Sequence, residues 1–261
     1  MAIKLNWKYK IKAFVKREFS VLVSTRRVFL KILNRLRDRV DALQGKFFHS
    51  QFGEDREVYR SFFSRPQFRN GFYVELGAAD GIENSNTKFF QDFLGWHGLL
   101  IEPVPEQFEK LKLNRPQNIL VNAAVSEKEG DVEFLGVGCT AGMVHTMAAG
   151  HREIYHPKGS RSFLVKGIPF LKILSQCEVR SIDFLSIDLE GGELEALNTF
   201  DWDIPVHAIV IELDGRDLSK DEACRRLLIT HGYKFFKKKW VSEIWHRPTY
   251  RRDLTPSVSP R

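Results

Sequence analysis

The stretch FYVELGAADG, residues 72–81, decides the fold because it ends an apolar run in a glycine turn. Residues 72–76 predict a buried strand, and residues 86–94 predict the helix that follows the turn. GLLI (98–101) predicts a second strand, which ends at Glu102. Glycines let backbone amides approach a ligand closely, and an acid at the tip of the next strand can accept hydrogen bonds from both hydroxyls of a ribose. The stretch therefore predicts a nucleoside site, with a ligand-free strand–turn–helix unit as the alternative.

The spacing of the glycines indicates which nucleoside fits. A dinucleotide site needs G-x-G-x-x-G, so that a pyrophosphate can lie on the helix N-terminus. Gly77 and Gly81 instead stand four residues apart, and the carboxylates of Glu75 and Asp80 lie beside them. These carboxylates would repel a pyrophosphate but suit a ligand with an amino group and a sulfonium. The predicted cofactor is S-adenosyl-L-methionine, and a nicotinamide-dependent dehydrogenase is disfavoured.

Composition and charge divide the chain into parts. Its 261 residues, 43% of them hydrophobic, are enough for one large core. Residues 1–50 hold 13 Lys and Arg against 3 Asp and Glu, whereas the rest of the chain holds 27 against 30. We therefore expect a basic amphipathic helical extension over residues 1–46, a main domain over 47–246 and a flexible basic tail over 247–261.

Two uses of the basic extension are open. Residues 1–45 can lie on an anionic membrane surface, or their apolar stripes can pack on the main domain or on a second copy in a homodimer. No uncharged stretch is long enough to span a bilayer, and three scattered cysteines favour a reducing compartment. The expected location is cytoplasmic, with peripheral contact at the inner face of a membrane. Nucleic-acid binding is disfavoured, because the rest of the chain is acidic and carries no recognition module.

The rest of the chain alternates predicted strands and helices. Strands are expected over 72–76, 98–101, 118–122, 182–187 and 206–213, with a short antiparallel excursion over 123–135, and helices over 105–113, 167–177, 192–200 and 219–231. A capping box, Ser219 to Glu222, opens the last helix. Strands 233–236 and 241–245 predict a final hairpin across Lys237 to Lys239. Residues 136–165 show no periodicity and predict a long functional or disordered loop.

This order predicts an α/β fold, a mostly parallel sheet with helices on both faces. Its ligand should lie beyond the carboxyl ends of the strands. Asp188 and Glu190 follow one predicted strand, and Glu212 ends the next. Burying unpaired carboxylates costs several kcal/mol, so a row of acids at one sheet edge indicates a function.

The chain resembles the FkbM-like family of S-adenosylmethionine-dependent methyltransferases over about residues 47–246. The motifs that carry the resemblance are SQFGED (50–55), YVELGAADGIENSNT (73–87), GWHGLLIEP (95–103), VNAAVS (121–126) and IDFLSIDLEGGELEAL (182–197). The resemblance implies a Rossmann-like seven-stranded methyltransferase sheet with the last strand antiparallel. It also implies O-methylation of a hydroxyl on a sugar, glycan or glycolipid-type acceptor. The alternative is a non-catalytic adaptor that retains the fold, and loss of the cofactor residues would mark it.

The resemblance also implies which residues bind the cofactor. They match its motifs at the ends of the first three strands: Glu75, Gly77, Ala78, Asp80, Gly81, Ser85, Asn86, Glu102, Pro103, Asn122 and Ala123. Glu102 takes the ribose hydroxyls in this interpretation, and Asn122 and Ala123 lie near the adenine. Ser85 and Asn86 either receive the cofactor's carboxylate or cap the following helix.

An acceptor hydroxyl needs an activating group, because a protonated alcohol is a poor nucleophile. Asp188, Glu190 and Glu212 are the predicted general bases. The same three carboxylates are alternatively predicted to hold Mg²⁺, which would bind acceptor hydroxyls and lower the pKa of the attacking one. Three histidines of the long loop are further candidate bases, with ordinary surface positions as the alternative: His145, His151 and His156. The sequence leaves the choice between a base and a metal open.

Overall fold

The computed structural model describes residues 47–64, 67–156 and 160–249. The predicted helical extension over residues 1–46 and most of the predicted tail lie outside these ranges, so the three-part division of the chain stays a prediction. None of the described helices is both long and apolar enough to cross a lipid bilayer.

Eleven strands are found in the described residues: β1 (Phe72–Leu76), β2 (His97–Ile101), β3 (Ile119–Val121), β4 (Ala124–Val125), β5 (Gly130–Leu135), β6 (Gly142–Met143), β7 (Ser162–Ile168), β8 (Ile182–Ile187), β9 (Val206–Glu212), β10 (Lys234–Lys239) and β11 (Ser242–His246). The α-helices there are α1 (Glu54–Val58), α2 (Lys88–Leu94), α3 (Pro105–Asn114), α4 (Ala149–Tyr155), α5 (Phe170–Gln176), α6 (Glu193–Asn198) and α7 (Leu218–Thr230). A π-helical turn, Tyr59–Phe63, continues α1, and a 3-10 turn spans Gly138–Thr140.

Seven strands form the central sheet in the order β10-β11-β9-β8-β1-β2-β3. The five strands from β9 to β3 in this order pair in parallel, whereas β11 is antiparallel to both β9 and β10. The predicted seven-stranded, mostly parallel sheet with an antiparallel last strand is therefore confirmed. The chain leaves β1 towards β2 on one side, and β8 later adds on the other side. Such a reversal of strand order opens a crevice at the carboxyl ends of the strands.

The residues of β1 explain why helices cover both faces of this sheet. All five are buried, as expected of a strand inside a parallel sheet. Phe72, Val74 and Leu76 belong to one core cluster and Tyr73 to another, because successive side chains of a strand point to opposite faces. Residues of α5, α6 and α7 complete the first cluster, and residues of α1, α2 and α3 complete the second.

A second sheet, in the order β4-β7-β5-β6, contains the predicted excursion over 123–135 and part of the region predicted as a long loop. The loop prediction is wrong where β6, α4 and the start of β7 lie within residues 136–165. In β7 Val165 is buried, while Leu164 is 66% exposed. An exposed leucine hides the polar–apolar alternation that marks a half-buried strand. Helix α4 begins without a side-chain cap, so its sequence carries no local start signal.

Several element boundaries differ from the prediction, and three of these differences have a clear structural reason. The helix expected from residue 167 begins at Phe170, because β7 continues to Ile168. Helix α7 is capped by Asp217, whose Oδ1 accepts from the Lys220 amide at 3.0 Å, rather than by a box starting at Ser219. Residues 237–239 lie inside β10 and do not form the hairpin turn, which falls at residues 240–241.

Gly98 provides a test of the packing between β1 and β2. A Cβ atom there would lie 2.2 Å from both the ring and the carbonyl oxygen of Tyr73, which is fully buried. Because neither group has room to move, we expect Gly98→Ala to lower the free energy of unfolding by about 1–3 kcal/mol. Urea unfolding measures this change. Gly150→Ala in α4, where nothing lies within 4 Å of the new atom, should leave stability unchanged or raise it. Equal losses at the two positions would contradict the packing argument.

Candidate functional site

A cavity of about 330 Å³ lies at the carboxyl ends of the central strands. This volume is within the usual range for small-molecule sites. Residues that follow β1, β2 and β8, and the last residue of β9, line it, as the crevice at the strand reversal predicts. Ten of the predicted site residues are in its lining: Glu75, Gly77, Ala78, Ser85, Asn86, Glu102, Pro103, Asp188, Glu190 and Glu212.

Glu102, directly after β2, is held by two backbone amides. Its Oε2 accepts from the Ala79 amide at 2.8 Å and its Oε1 from the Val104 amide at 2.7 Å. Burial raises the pKa of Glu102 to about 7, and the two amides offset this only in part. A carboxylate offers about four acceptor positions, so each oxygen keeps one after binding its amide. The arrangement leaves a fixed pair of acceptors for two neighbouring hydroxyls.

The glycine turn is closed by hydrogen bonds within the protein. The amides of Gly77 and Ala78 donate to the Ile101 carbonyl at 3.0 and 3.1 Å. These two amides are therefore already paired within the protein, and contact between the turn and a cofactor stays a prediction. Gly77 is needed for another reason, because its φ is 76° and a Cβ atom there would lie 1.9 Å from the Asp188 carbonyl oxygen.

The Glu75 carboxylate organises the loop before α2. It accepts from the Ser85 hydroxyl at 2.9 Å, the Asn86 amide at 2.8 Å and the Thr87 hydroxyl at 2.6 Å. The fully buried Arg115 donates to the Thr87 hydroxyl at 3.1 Å. Burial raises the pKa of Glu75, and the charge of Arg115 opposes the rise. The methionine-binding role of Glu75 stays a prediction beside this structural one.

Ser85 and Asn86 differ in their placement. Ser85 Oγ accepts from the amides of Thr87 and Lys88 at 3.2 and 3.1 Å, so it caps α2, as one of its two predicted uses requires. The Asn86 side-chain amide donates to the hydroxyl of Ser186 at 2.9 Å, and both residues line the cavity. Of the two, Asn86 is the one whose side chain reaches from the loop before α2 to β8.

Four predicted cofactor residues are outside the cavity lining: Asp80, Gly81, Asn122 and Ala123. Asp80 accepts two backbone amides of its own turn. The Asn122 side chain donates to the Glu102 carbonyl at 2.8 Å, and Ala123 lies in the core with 1% exposure. A Cβ atom at Gly81 would lie 2.5 Å from the Leu111 side chain, so this glycine is set by packing. Direct contact of these four residues with a cofactor stays a prediction.

The three predicted catalytic carboxylates line the same cavity as Glu102. One oxygen each of Asp188, Glu190 and Glu212 lies within 4.8 Å of the other two. Asp188 is exposed where it lines the cavity, and burial among protein atoms together with the Glu190 charge raises its pKa to about 7. The Asp188 charge, followed by burial, raises the pKa of Glu212. Burial and the Glu212 charge raise the pKa of Glu190 to about 8. The cluster therefore favours bound protons or another positive group.

The turn that carries this cluster is held by Glu193, which the sequence analysis did not select. Its buried Oε1 accepts from the amides of Leu189 and Gly191, both at 3.1 Å, and its Oε2 pairs with Lys220. Glu190 has a φ of 51°, a left-handed conformation that is costly for a residue with a side chain. An acid in the first turn of α6 was the available signal for a residue that binds preceding amides.

His151 of α4 contacts the acid cluster. Its Nδ1 lies 3.1 Å from Glu190 Oε2 and 3.1 Å from Arg216 Nη1, and its Nε2 lies 3.1 Å from the Thr140 carbonyl oxygen. Because a carbonyl only accepts, Nε2 carries the proton and Nδ1 is the acceptor. Burial lowers the pKa of His151, which favours this neutral form. Arg216 Nη1, which can only donate, takes the single acceptor position of Nδ1, so Glu190 lies beside His151 without a hydrogen bond to it.

Further lining residues were missed by the sequence analysis, among them Phe52, Phe134, Cys139, Met143, Tyr155 and Arg216. Nothing local marks Tyr155, because helix α4 was not predicted. Arg216 follows the acid-bearing end of β9, so the strand-end rule could have found it. Of the other two candidate histidines, His145 is exposed beside Glu195 and His156 is buried.

Comparison with known proteins gives a family match. Residues 75–235 match the model of the methyltransferase FkbM domain. Among curated proteins, none matches this sequence.

Similar solved structures include three methyltransferases. A TehB-like SAM-dependent methyltransferase from Corynebacterium glutamicum is 12% identical with a TM-score of 0.39, over 82% of this chain and 96% of that one. Methyltransferase FkbM from Methylobacillus flagellatus is 15% identical with a TM-score of 0.44, over 71% of this chain and 46% of that one. The human methyltransferase 10 domain containing protein is 11% identical with a TM-score of 0.40, over 79% and 86%. At such low values these likenesses give no information on substrate. This chain spans less than half of the Methylobacillus protein.

The raised pKa of Glu190 predicts how stability depends on pH. Its pKa rises from 4.5 to about 8 on folding, so between these values the folded state binds more protons than the unfolded state. The free energy of unfolding must then fall as pH rises through this window. We expect Glu190→Gln to make the fall shallower in urea unfolding measured across a pH series. Glu153→Gln, at an exposed position of α4, should keep the wild-type slope. A wild-type slope in Glu190→Gln as well would contradict the raised pKa.

Proposed function

Because this chain belongs to the methyltransferase FkbM domain family, we propose that it is an S-adenosylmethionine-dependent O-methyltransferase acting on a hydroxyl of a sugar, glycan or glycolipid-type acceptor. One observation carries the proposal. A single cavity is lined both by Glu102, with its two oriented acceptors, and by the cluster of Asp188, Glu190 and Glu212. The first suits the two hydroxyls of a ribose, and the second suits an acceptor hydroxyl that must lose its proton.

The cofactor would lie along the ends of β1 and β2. Glu102 accepts hydrogen bonds from its ribose hydroxyls, and the lining side chain of Asn86 is available to its polar end. When bound, S-adenosylmethionine supplies a methyl group on a positively charged sulfur, and the new O–C bond forms as the S–C bond breaks to leave S-adenosylhomocysteine. The work of the protein is then to align the acceptor oxygen with that methyl group and to take the proton.

The acid cluster would take this proton. Asp188 is the member whose side chain is open to the cavity, so it is the carboxylate that an acceptor hydroxyl can reach. Its neighbours raise its pKa, which makes it a stronger base than an ordinary aspartate once it is ionised. Glu190, whose pKa is raised to about 8 by burial and by the Glu212 charge, can hold a proton at the same place. The cluster can therefore receive a proton without leaving an isolated buried charge.

Mg²⁺ is the alternative way to activate the acceptor. Three carboxylate oxygens within 4.8 Å of one another form a hard oxygen donor set, which fits a divalent cation. Such a cation would cancel the mutual repulsion that, together with burial, raises the three pKa values. Asp188, Glu190 and Glu212 would hold it, and it would lower the pKa of a hydroxyl bound to it. The proton-accepting and metal-holding uses need the same residues, so chelation experiments rather than geometry distinguish them.

The acceptor class is supported from outside the cavity by the charge of the N-terminal region. Residues 1–50 carry 13 Lys and Arg against 3 Asp and Glu, a composition suited to an anionic membrane surface, where glycolipids are found. Contact of residues 1–45 with such a surface, and a homodimer formed through the same residues, both stay predictions.

Calorimetric titration of the full chain with S-adenosylmethionine tests the cofactor site. We expect micromolar binding by the wild type, and binding at least about tenfold weaker by Glu102→Ala, which loses both hydroxyl acceptors. Glu106→Ala, four residues further on at an exposed position of α3, should bind like the wild type. NAD should not bind. A folded wild-type protein that does not bind S-adenosylmethionine would favour the non-catalytic adaptor instead.

Release of S-adenosylhomocysteine in a panel of mono- and oligosaccharides and glycolipids tests the acid cluster. We expect Asp188→Asn to lower turnover by at least about 100-fold while cofactor binding is kept, because the proton acceptor is lost. Asp131→Asn, an exposed position of β5, is the control. Activity that survives EDTA would establish the base mode, and activity lost in EDTA and restored by Mg²⁺ would establish the metal mode. Full turnover by Asp188→Asn would rule out Asp188 as the proton acceptor and as a required metal ligand.

A further inference from the structure

Trp240, in the turn between β10 and β11, is both exposed and strained. Its side chain is 76% exposed, which is unusual for the largest apolar side chain. Its φ is 54°, in the left-handed region that glycine or asparagine would occupy at low cost in a hairpin turn. A bulky side chain kept in such a conformation, without burial in return, points to a function of that side chain.

The Trp240 ring is stacked on a residue of the cavity wall. Its centroid lies 5.3 Å from that of Phe52, and the two ring planes differ by 16°. Phe52 lines the cavity, as does Val241, the next residue after Trp240. The aromatic pair therefore stands at the rim of the proposed active site.

The register of the sheet relates Trp240 to the acid cluster. Ser242 of β11 is paired with Glu212 of β9, and Trp240 precedes Ser242 by two residues. The Leu213 amide donates to the Val241 carbonyl at 2.9 Å, so the turn residues Trp240 and Val241 lie beyond the row of Glu212 on the carboxyl side of β9. Consider a ligand that binds the acid cluster with one hydroxyl and leaves the cavity on the carboxyl side of β9. Its other end would pass Trp240.

The charge of the cavity, rather than that of the hairpin, disfavours an anionic surface as the partner of Trp240. The hairpin itself is basic: Lys237 of β10 pairs with Glu57 at 2.8 Å, whereas Lys238 lies 3.9 Å from Glu243, which Arg225 already binds at 2.9 Å. The carboxylate cluster in the adjoining cavity would repel anionic headgroups. A neutral ligand with an apolar face suits this rim better.

We propose that Trp240, backed by Phe52, is an acceptor subsite that stacks against the C–H face of a pyranose ring next to the ring being methylated. This inference rests on the proposed function, which supplies the sugar chemistry. A pyranose ring presents C–H groups on its face and hydroxyls at its edge. The electron-rich face of an indole attracts those C–H groups, while the hydroxyls remain in water. The exposed Trp240 ring, held by stacking on Phe52, can contact the C–H face of the sugar while the sugar hydroxyls stay in water.

Nuclear magnetic resonance of the ¹⁵N-labelled full chain tests the subsite. The chain has five tryptophans, and Trp240→Phe identifies the Trp240 indole N–H signal by its loss. With S-adenosylhomocysteine present, we titrate methyl β-glucopyranoside, methyl β-galactopyranoside, methyl α-mannopyranoside and cellobiose. At least one should shift the Trp240 signal saturably, whereas the open-chain polyol sorbitol should not. A Trp240 signal that no pyranoside moves, or that sorbitol moves equally, would overturn the proposal.

A pair of variants separates binding from folding. Trp240→Gly removes the ring and relieves the left-handed backbone, so its melting temperature should be kept or raised while pyranoside binding weakens about tenfold or more. Trp240→Tyr retains an aromatic face and should retain most of the binding. Wild-type pyranoside binding by Trp240→Gly would refute the subsite.

Two further results keep this inference distinct from the proposed function. If the wild type fails to bind S-adenosylmethionine in calorimetry, the proposed function fails. If it binds the cofactor and methylates an acceptor while Trp240→Gly does so equally well, only the subsite fails. A Trp240 signal that moves with phosphatidylglycerol vesicles, and with no pyranoside, would make the hairpin a membrane contact and would also reject the subsite.

Discussion

The site depends on one backbone contact, between the ends of β1 and β8. The Asp188 amide donates to the Leu76 carbonyl at 3.2 Å, and the Asp188 carbonyl fills the space where a Cβ atom at Gly77 would stand. Only a glycine allows the two strand ends to approach this closely. The turn after β1 and the acidic turn after β8 therefore share one edge of the sheet, and the cavity forms between them.

The carboxylates along this edge of the sheet differ in how their negative charge is compensated. This difference distinguishes a carboxylate that stabilises the fold from those that are available for chemistry. The charge of Glu75 is compensated by a buried arginine, and its oxygens accept from three donors, so Glu75 stabilises the fold of its loop. Glu102 has two amides and keeps free acceptor positions. In the acid cluster, each carboxylate raises the pKa of another, which leaves a demand for protons or a cation. Such an unbalanced group of charges is costly to maintain, and it is suited to receive a proton from a substrate.

Much of the central sheet could be predicted from the sequence, because its strands are nearly continuous apolar runs that end in glycine or acidic residues. β1, β2, β8 and β9 were found within a residue or two, and with them Glu102, Asp188, Glu190 and Glu212. Helix α4 and strands β6 and β7 of the second sheet were not predicted, whereas β5 lies within the predicted excursion over 123–135. β7 exposes Leu164 on its outer side, and α4 has no capping residue, so tertiary contacts rather than local preferences define these elements.

The sequence by itself determined the family, the mostly parallel sheet and the acids at the strand ends, since sequence motifs, hydrophobic periodicity and strand-end position are local properties of the chain. The tertiary structure alone decided what each polar group does. In that structure the amides of the turn after β1 donate to the Ile101 carbonyl, and Ser85 caps a helix. His151 lies beside Glu190, and Trp240 stacks on Phe52. These contacts join segments that are distant in the chain, and hydrogen-bond partners, burial and pKa values follow from such neighbours rather than from sequence position.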